Sequence, residues 1–337
     1  MKRATLILSL LLTITVLTGG CASMKASTAT PQSEYPQKTI TMIVPFSVGG
    51  GMDLLARELE KATAAQLGKP IAVINRTGGA GAIGWNELAE SPADGYTLGI
   101  VGPEIVLHPL YGQSKYHYPT ALEPIIQLAS VPSVLAIRSS QPWSNLNDLI
   151  VYAKNHPGKL KFAHGGIGSI THIVGEMFKK SSGIILEQVP FRGGGETTAA
   201  LLGDHVHLIF VGPAAIKEHV RTGTLRALAV SGQKRLDDPV LGNVPTFLEQ
   251  DLDIVSDYWY AIAAPKGLPS NIKEKLAANF KTIILSSQFK ATTARLGQQI
   301  DYLDAQETAM KWIQENQKYS KVVQETGITD LIKAQKK

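Results

Sequence analysis

Three glycine-rich stretches carry residue types suited to holding a small anion: Ser47-Val48-Gly49-Gly50-Gly51, His164-Gly165-Gly166-Ile167-Gly168-Ser169 and Arg192-Gly193-Gly194-Gly195-Glu196-Thr197. Each follows a short apolar run and opens a segment whose apolar residues recur at helical spacing, such as Leu54, Leu55, Leu59 and Ala62 after the first. The first N–H groups of a helix have no partner within it, and glycines let another backbone or a ligand approach closely. Such a turn therefore suits a carboxylate. Asp53 stands at the start of the first of these helices, where it serves either as a ligand contact or as a helix cap.

A fourth stretch, Asn75-Arg76-Thr77-Gly78-Gly79-Ala80-Gly81-Ala82-Ile83-Gly84, contains G-x-G-x-x-G, and Glu104 follows Gly84 by 20 residues, as in a dinucleotide-binding fingerprint. The preceding strand ends near Asn75, however, four residues ahead of the first motif glycine Gly79. The fingerprint needs its turn directly off the strand. The plainer reading is a glycine loop that closes on a shared pocket. Two histidine pairs, His205 with His207 and His164 with His172, have spacings open to a metal, but no cysteine or third close ligand accompanies either, so ordinary polar roles are expected. No G-x-S-x-G, H-E-x-x-H or G-x-x-x-x-G-K-[ST] signature occurs, which leaves an exported enzyme as the weaker reading.

Repeated strand, glycine turn and helix predict an open α/β sheet, with ligands gathering at the carboxyl ends of its strands. The pattern gives strands at Ile40–Val44, Ile71–Ile74, Tyr96–Val101 and a long run Ile125–Ile137 interrupted at Pro132. His108–Pro119 reads as an irregular connection, and Ser144 or Asn145 as the cap of a helix through Ala153. Further on come the strand Val206–Val211, the helix Ala214–Arg221, the strand Leu225–Val230, a return through Ser256–Tyr260, and helices Ile272–Leu285 and Ala305–Lys321.

The chain has 337 residues, 44% of them hydrophobic, enough for two compact cores. Lys2 and Arg3 precede an uncharged apolar run from Leu6 to Leu17, the pattern of a secretory signal and too short for a confident membrane span. Cleavage ahead of Cys21, the single cysteine, in the setting Leu17-Thr18-Gly19-Gly20-Cys21 resembles a bacterial lipobox, with Thr18 in place of the usual aliphatic residue. Lipidation there would anchor the protein without spanning the membrane. Residues 22–37 read as a flexible tether. Net charge is +5 for the full chain and +3 once Lys2 and Arg3 are lost, and its cations are interspersed with acids, so nothing indicates nucleic-acid binding.

Several strings in order carry a family likeness. They are Tyr35-Pro36-x-Lys38, Ile43-Val44-Pro45-Phe46, Gly49-Gly50-x-x-Asp53, Asn75-Arg76 with Gly78 to Gly84, Asp94-Gly95-Tyr96-Thr97-Leu98, Gly166-x-Gly168-Ser169, Phe191-Arg192-Gly193-Gly194, Val244-Pro245-Thr246 and Ala264-Pro265-x-Gly267-x-Pro269. Together they closely resemble the Bug family, the solute-binding proteins of tripartite tricarboxylate transporters. The resemblance implies a two-lobed α/β periplasmic-binding-protein fold of type II-like form, with no catalysis and no cofactor or metal. It implies a small carboxylate, such as a di- or tricarboxylate, in the interlobe cleft, and a membrane permease of the tripartite tricarboxylate type as partner. Carried onto this chain, it gives Phe46, Ser47, Gly50, Gly51 and Asp53 in the first loop, Thr77, Gly78, Gly79, Ala80 and Gly81 in the second, and Gly166, Gly168 and Ser169 from the other lobe. Two residues depart from the family pattern: Val48 and Glu196 stand where proline is usual. If Glu196 faces the cleft, a simple dicarboxylate fits less well.

The expected organisation is a signal peptide over 1–20, lipidated Cys21 and tether over 21–37, a first lobe from 38–137 with 256–337, and a second lobe over 138–255. The expected protein is an exported, membrane-anchored monomer that delivers its ligand to the permease, or in the alternative presents it to a sensor kinase.

Overall fold

The computed structural model describes residues 35–112 and 114–334. The signal peptide, Cys21 and nearly all of the tether lie outside the described residues. The folded unit begins at Pro36 rather than Lys38. Pro36 is buried, and Gln37 N–H donates to Tyr96 Oη at 2.9 Å.

The first part of the chain runs β1 (Ile40–Val44), α1 (Gly51–Leu67), β2 (Ile71–Asn75), α2 (Ala82–Glu90), β3 (Thr97–Val101), α3 (Glu104–Leu110), α4 (Tyr118–Ala121) and β4 (Leu122–Pro132). The middle runs β5 (Val134–Arg138), α5 (Leu146–Asn155), β6 (Lys161–His164), α6 (Ile170–Ser182), β7 (Glu187–Pro190), α7 (Gly194–Leu202), β8 (Leu208–Val211), α8 (Lys217–Arg221) and β9 (Leu225–Val230). The last part is β10 (Asp257–Pro265), α9 (Ser270–Leu285), α10 (Ser287–Arg295), β11 (Ile300–Leu303), α11 (Ala305–Thr326) and α12 (Ile328–Ala334).

These strands form two sheets, ordered β11-β4-β10-β3-β1-β2 and β7-β6-β8-β5-β9. In the first, β1 lies parallel between β2 and β3, and β10 runs antiparallel between β3 and β4. In the second, β6 is parallel to β7 and β8, whereas β5 is antiparallel to β8 and β9. Alternation along β5 explains why both faces of the second sheet are covered. Leu135 and Ile137 enter a core with Phe162, Phe178, Phe210 and Phe247, while Val134 and Ala136 enter another with Leu201, Val206 and Ile209. The first lobe is built around Trp85, Tyr118, Trp259 and Trp312, and Ile170 and Ile173 of α6 join that cluster from the second lobe.

The passage between lobes occurs at the sequence break itself. Placing the boundary after Ile137 is incorrect, because β5 pairs with β8 and β9 in the second sheet. Pro132 ends β4, and the buried Ser133 turns the chain. Ser133 N–H donates to Ser231 Oγ at 2.8 Å, Ser231 N–H to Ser133 O at 2.8 Å, and Ser256 N–H to Ser231 O at 2.9 Å. Ser231 Oγ donates in turn to Ser256 O. The outgoing and returning connections are thus joined by three buried serines, which satisfy backbone groups where the strands change sheets.

Local signals account for much of the rest. Asn145 Oδ1 accepts from Asp148 N–H at the start of α5. Asp304 and Glu307 form a reciprocal capping box at the start of α11. The stretch read as irregular from His108 begins inside α3, a helix that the sequence hides because Pro109 sits in its last turn.

Candidate functional site

The loop between β1 and α1 is held from behind by a buried carboxylate. Asp53, 1% exposed, accepts through Oδ2 from Gly49 N–H at 2.9 Å and Arg57 Nε at 3.1 Å, and through Oδ1 from Asn75 Nδ2 at 3.0 Å. Asn75 Nδ2 also donates to Phe46 O at 3.0 Å. Asp53 therefore points back into the loop and neither faces the cleft nor caps α1, whose cap residue is Gly50, without a side-chain bond. With that loop fixed, the opening N–H groups of α1 at Gly51 and Met52 have no intrahelical partner.

The second lobe brings α6 and α7 to the same place. Ser47 N–H donates across the cleft to Arg192 O at 3.0 Å, and Glu196 N–H to Ser47 Oγ at 3.4 Å. A methyl group on Gly195 would come within 2.0 Å of Val48 O, so only glycine permits this approach. Tyr111 Oη donates to Gly168 O at 3.2 Å, and Glu104 Oε1 accepts from Ile170 N–H at 3.1 Å, so α3 also reaches from the first lobe to the second. The glycine loops of the two lobes thus meet backbone to backbone.

Between them lies a pocket lined by Phe46, Gly50, Gly51 and Met52 from one side and Gly165, Ser169, Thr171, Gly193, Gly194 and Thr197 from the other, with Glu104, Tyr258 and Tyr260 among the remaining walls. Its cavity volume is ≈ 50 Å³. That is room for roughly three to five waters, or for part of a small acid. A second pocket adjoins it through Gly165 and is lined by Gly78, Gly79, Ala80, Gly81 and Gly166, with Arg192 at its edge. The structure thus places Phe46, Gly50, Gly51 and Ser169 in the first pocket, and Gly78, Gly79, Ala80, Gly81 and Gly166 in the second. Ser47, Asp53, Thr77 and Gly168 line neither.

No lysine, arginine or histidine lines the first pocket. Residues at the N-terminal ends of α1, α6 and α7 line it, and the dipoles of these helices favour an anion. Glu196 does not line either pocket: Oε2 accepts from Arg192 N–H at 3.0 Å in the first turn of α7. The histidines hold loops. His164 Nδ1 donates to Gly166 O at 2.9 Å, its Nε2 lies 2.8 Å from the Gln188 side-chain amide, and burial pushes its pKa down to about 3. His172 stacks on it at 4.3 Å and accepts from Gly168 N–H at 3.2 Å. His207 Nδ1 accepts from Lys161 N–H at 2.9 Å. Among the described residues no three His, Cys, Asp or Glu side chains cluster as a metal site would require.

The acid that does face the pocket is Glu104, which the sequence offered only as the acidic residue following a dinucleotide-type glycine motif. It is 1% exposed, and its Oε2 has no hydrogen-bond partner. Its position just past the carboxyl end of β3 was the available signal, since ligands gather there in such sheets. Tyr258, Tyr260 and Thr171 were missed because they lie far from any glycine motif or beyond its edge, and only the fold brings them in, whereas Thr197 closes the third glycine stretch.

Burial pushes the Glu104 carboxyl up to about 7, with the hydrogen bond from Ile170 acting in the opposite direction. The unfolded chain releases this proton near the ordinary carboxyl value, so stability is highest when the group is protonated and is lost as pH rises through 7. Thermal or denaturant unfolding of the ligand-free protein is expected to show a loss on the order of 3 kcal/mol between pH 4.5 and 8 that Glu104→Gln abolishes. Parallel pH curves for the two proteins would contradict this.

A family model described as tripartite tricarboxylate transporter family receptor matches residues 55–328. Protein BugT of Bordetella pertussis is 33% identical over 298 residues, covering 87% of this chain and 90% of that protein. The solved structure of Rpa4515 from R. palustris with adipate shares 29% identity at a TM-score of 0.83, covering 87% of this chain and 98% of that one. MatC from Rhodopseudomonas palustris with bound malate shares 26% identity at a TM-score of 0.79, covering 86% and 100%. With paired α/β sheets, a pocket between their glycine turns and a family match across most of its length, this chain belongs to the tripartite tricarboxylate transporter family of receptors, which are solute-binding proteins and not enzymes.

Proposed function

We propose that the protein captures a small organic carboxylate in its interlobe pocket outside the cytoplasm and delivers it to a membrane permease of the tripartite tricarboxylate type. The observation that carries this reading is the convergence of helix N-termini from both lobes on a pocket without cationic side chains. Backbone amides of Gly51, Gly193 and Gly194, with Ser169 and Thr197 hydroxyls, would hold the carboxylate, and Phe46 would cover it. The adjoining pocket at Gly78–Gly81 and Gly166 offers room for the ligand's distal part. The adipate and malate bound to the two structural relatives support an acid as ligand.

A ligand that touches both lobes stabilises their closed arrangement, because those contacts are absent when the lobes part. The permease then has a distinct shape to recognise. Export, lipidation at Cys21 and a monomeric state complete the proposal. Its support is the charged start, apolar run and Gly20-Cys21 of the sequence. No helix among the described residues is long and apolar enough to cross a membrane.

Three measurements test this reading. In a thermal-shift screen, small carboxylic acids are expected to raise the melting temperature, while their methyl esters at equal concentration do not. Equal shifts from acid and ester would overturn it. Gly195→Ala, which places a methyl group 2.0 Å from Val48 O of the opposite lobe, is expected to weaken the best acid by about tenfold or more in calorimetry with little change in unfolding midpoint. Unchanged affinity would show that closure does not need this contact. Cys21→Ala is expected to move the protein from the membrane fraction to the soluble exported fraction; retention on membranes would exclude the thioether anchor.

A further inference from the structure

Glu104 contradicts a pocket built for a plain dicarboxylate. One oxygen of its carboxyl, Oε1, is satisfied by Ile170 N–H across the cleft at 3.1 Å. The other, Oε2, is buried against the pocket with no hydrogen-bond partner. A buried acceptor left open costs about 1–3 kcal/mol, more when it carries charge, so a native pocket that keeps one is expected to receive a donor from its ligand. The protein supplies no opposite charge, since no lysine, arginine or histidine lines this pocket. The phenols of Tyr258 and Tyr260 on β10 are held neutral by burial, which raises their pKa values.

The pocket is therefore polarised. Amides at the N-terminal ends of α1 and α7 favour negative charge at one wall, and an uncompensated carboxyl group stands at another. A second carboxylate beside Glu104 would be repelled, or would have to share a proton with it. A hydroxyl could donate to Oε2 but would not favour the ionised form of a carboxyl that burial otherwise keeps protonated up to about 7. A protonated amine does both.

We propose that the preferred ligand is a small zwitterion, an amino acid whose carboxylate lies on the amides of α1 and α7 and whose ammonium group donates to Glu104 Oε2. This rests on the carboxylate reading above and adds the second charge. Glu104 then acts as the specificity residue of the pocket. Paired with an ammonium group, its carboxyl is ionised, and the ligand neutralises what the fold leaves unmatched.

The test is calorimetric titration of the purified, ligand-free protein with the proteinogenic amino acids, β-alanine and 4-aminobutanoate. Each is compared with the acids in which hydrogen or hydroxyl replaces the ammonium group. At least one amino acid is expected to bind about 30-fold or more tightly than both of its counterparts, and Glu104→Gln is expected to erase that advantage. The paired comparison in the unaltered protein stands irrespective of how the variant folds. Equal binding within pairs, tighter binding of a dicarboxylate, or full retention of amino-acid affinity in Glu104→Gln would overturn the zwitterion proposal and leave the carboxylate reading in place. Failure of every amino acid and every deaminated acid to bind would overturn both.

Discussion

Direct approach of two backbones across the cleft is the constraint on which the site depends. Ser47 N–H reaches Arg192 O, and Gly195 lies so close to Val48 O that no side chain fits between them. Helix N-termini act on an anion only over short range, since their partial charges fall off within the first turn. Bringing α1 and α7 to one pocket therefore requires loops without side chains on their facing surfaces. Glycines provide this at both edges, and the price is loops that would be floppy if nothing else held them.

Charged and aromatic side chains supply that restraint from outside the pocket. Asp53, with Arg57 and Asn75 around it, fixes the first loop through Gly49 N–H and Phe46 O. His164 and His172, stacked on one another, hold the Gly166–Gly168 turn. Glu196 holds Arg192 N–H at the third. In each case a group that looks chemically active in the sequence spends its hydrogen bonds on the loop. Preorganised amides bind an anion without first paying to order themselves. The serines at 133, 231 and 256 join the two connections at one place, where the strands change sheets.

Glu104 shows how one side chain can set the character of such a pocket. Backbone amides recognise charge and little else, so receptors that rely on them share a site for many acids. A carboxyl at the end of β3 adds a second electrostatic demand without altering the loops. Its buried setting makes that demand strong, as the same interaction in water would be screened.

Local physics made much of this protein legible in advance. The strand, glycine turn and helix units at Ile40–Leu67, Lys161–Ser182 and Glu187–Leu202 follow from β-branched runs, glycines and apolar periodicity, all of which act within a few residues. Pro109 concealed α3, the short elements α10 and β11 carried no periodicity that stood out, and β5 was assigned to the wrong sheet because an extended strand reads alike in either. Which way Asp53, Glu196 and Glu104 face was decided only by tertiary structure. A carboxylate at a helix start has the same local sequence whether it turns toward its own loop or toward a cleft, and the difference lies in partners such as Asn75 and Ile170 that are distant along the chain.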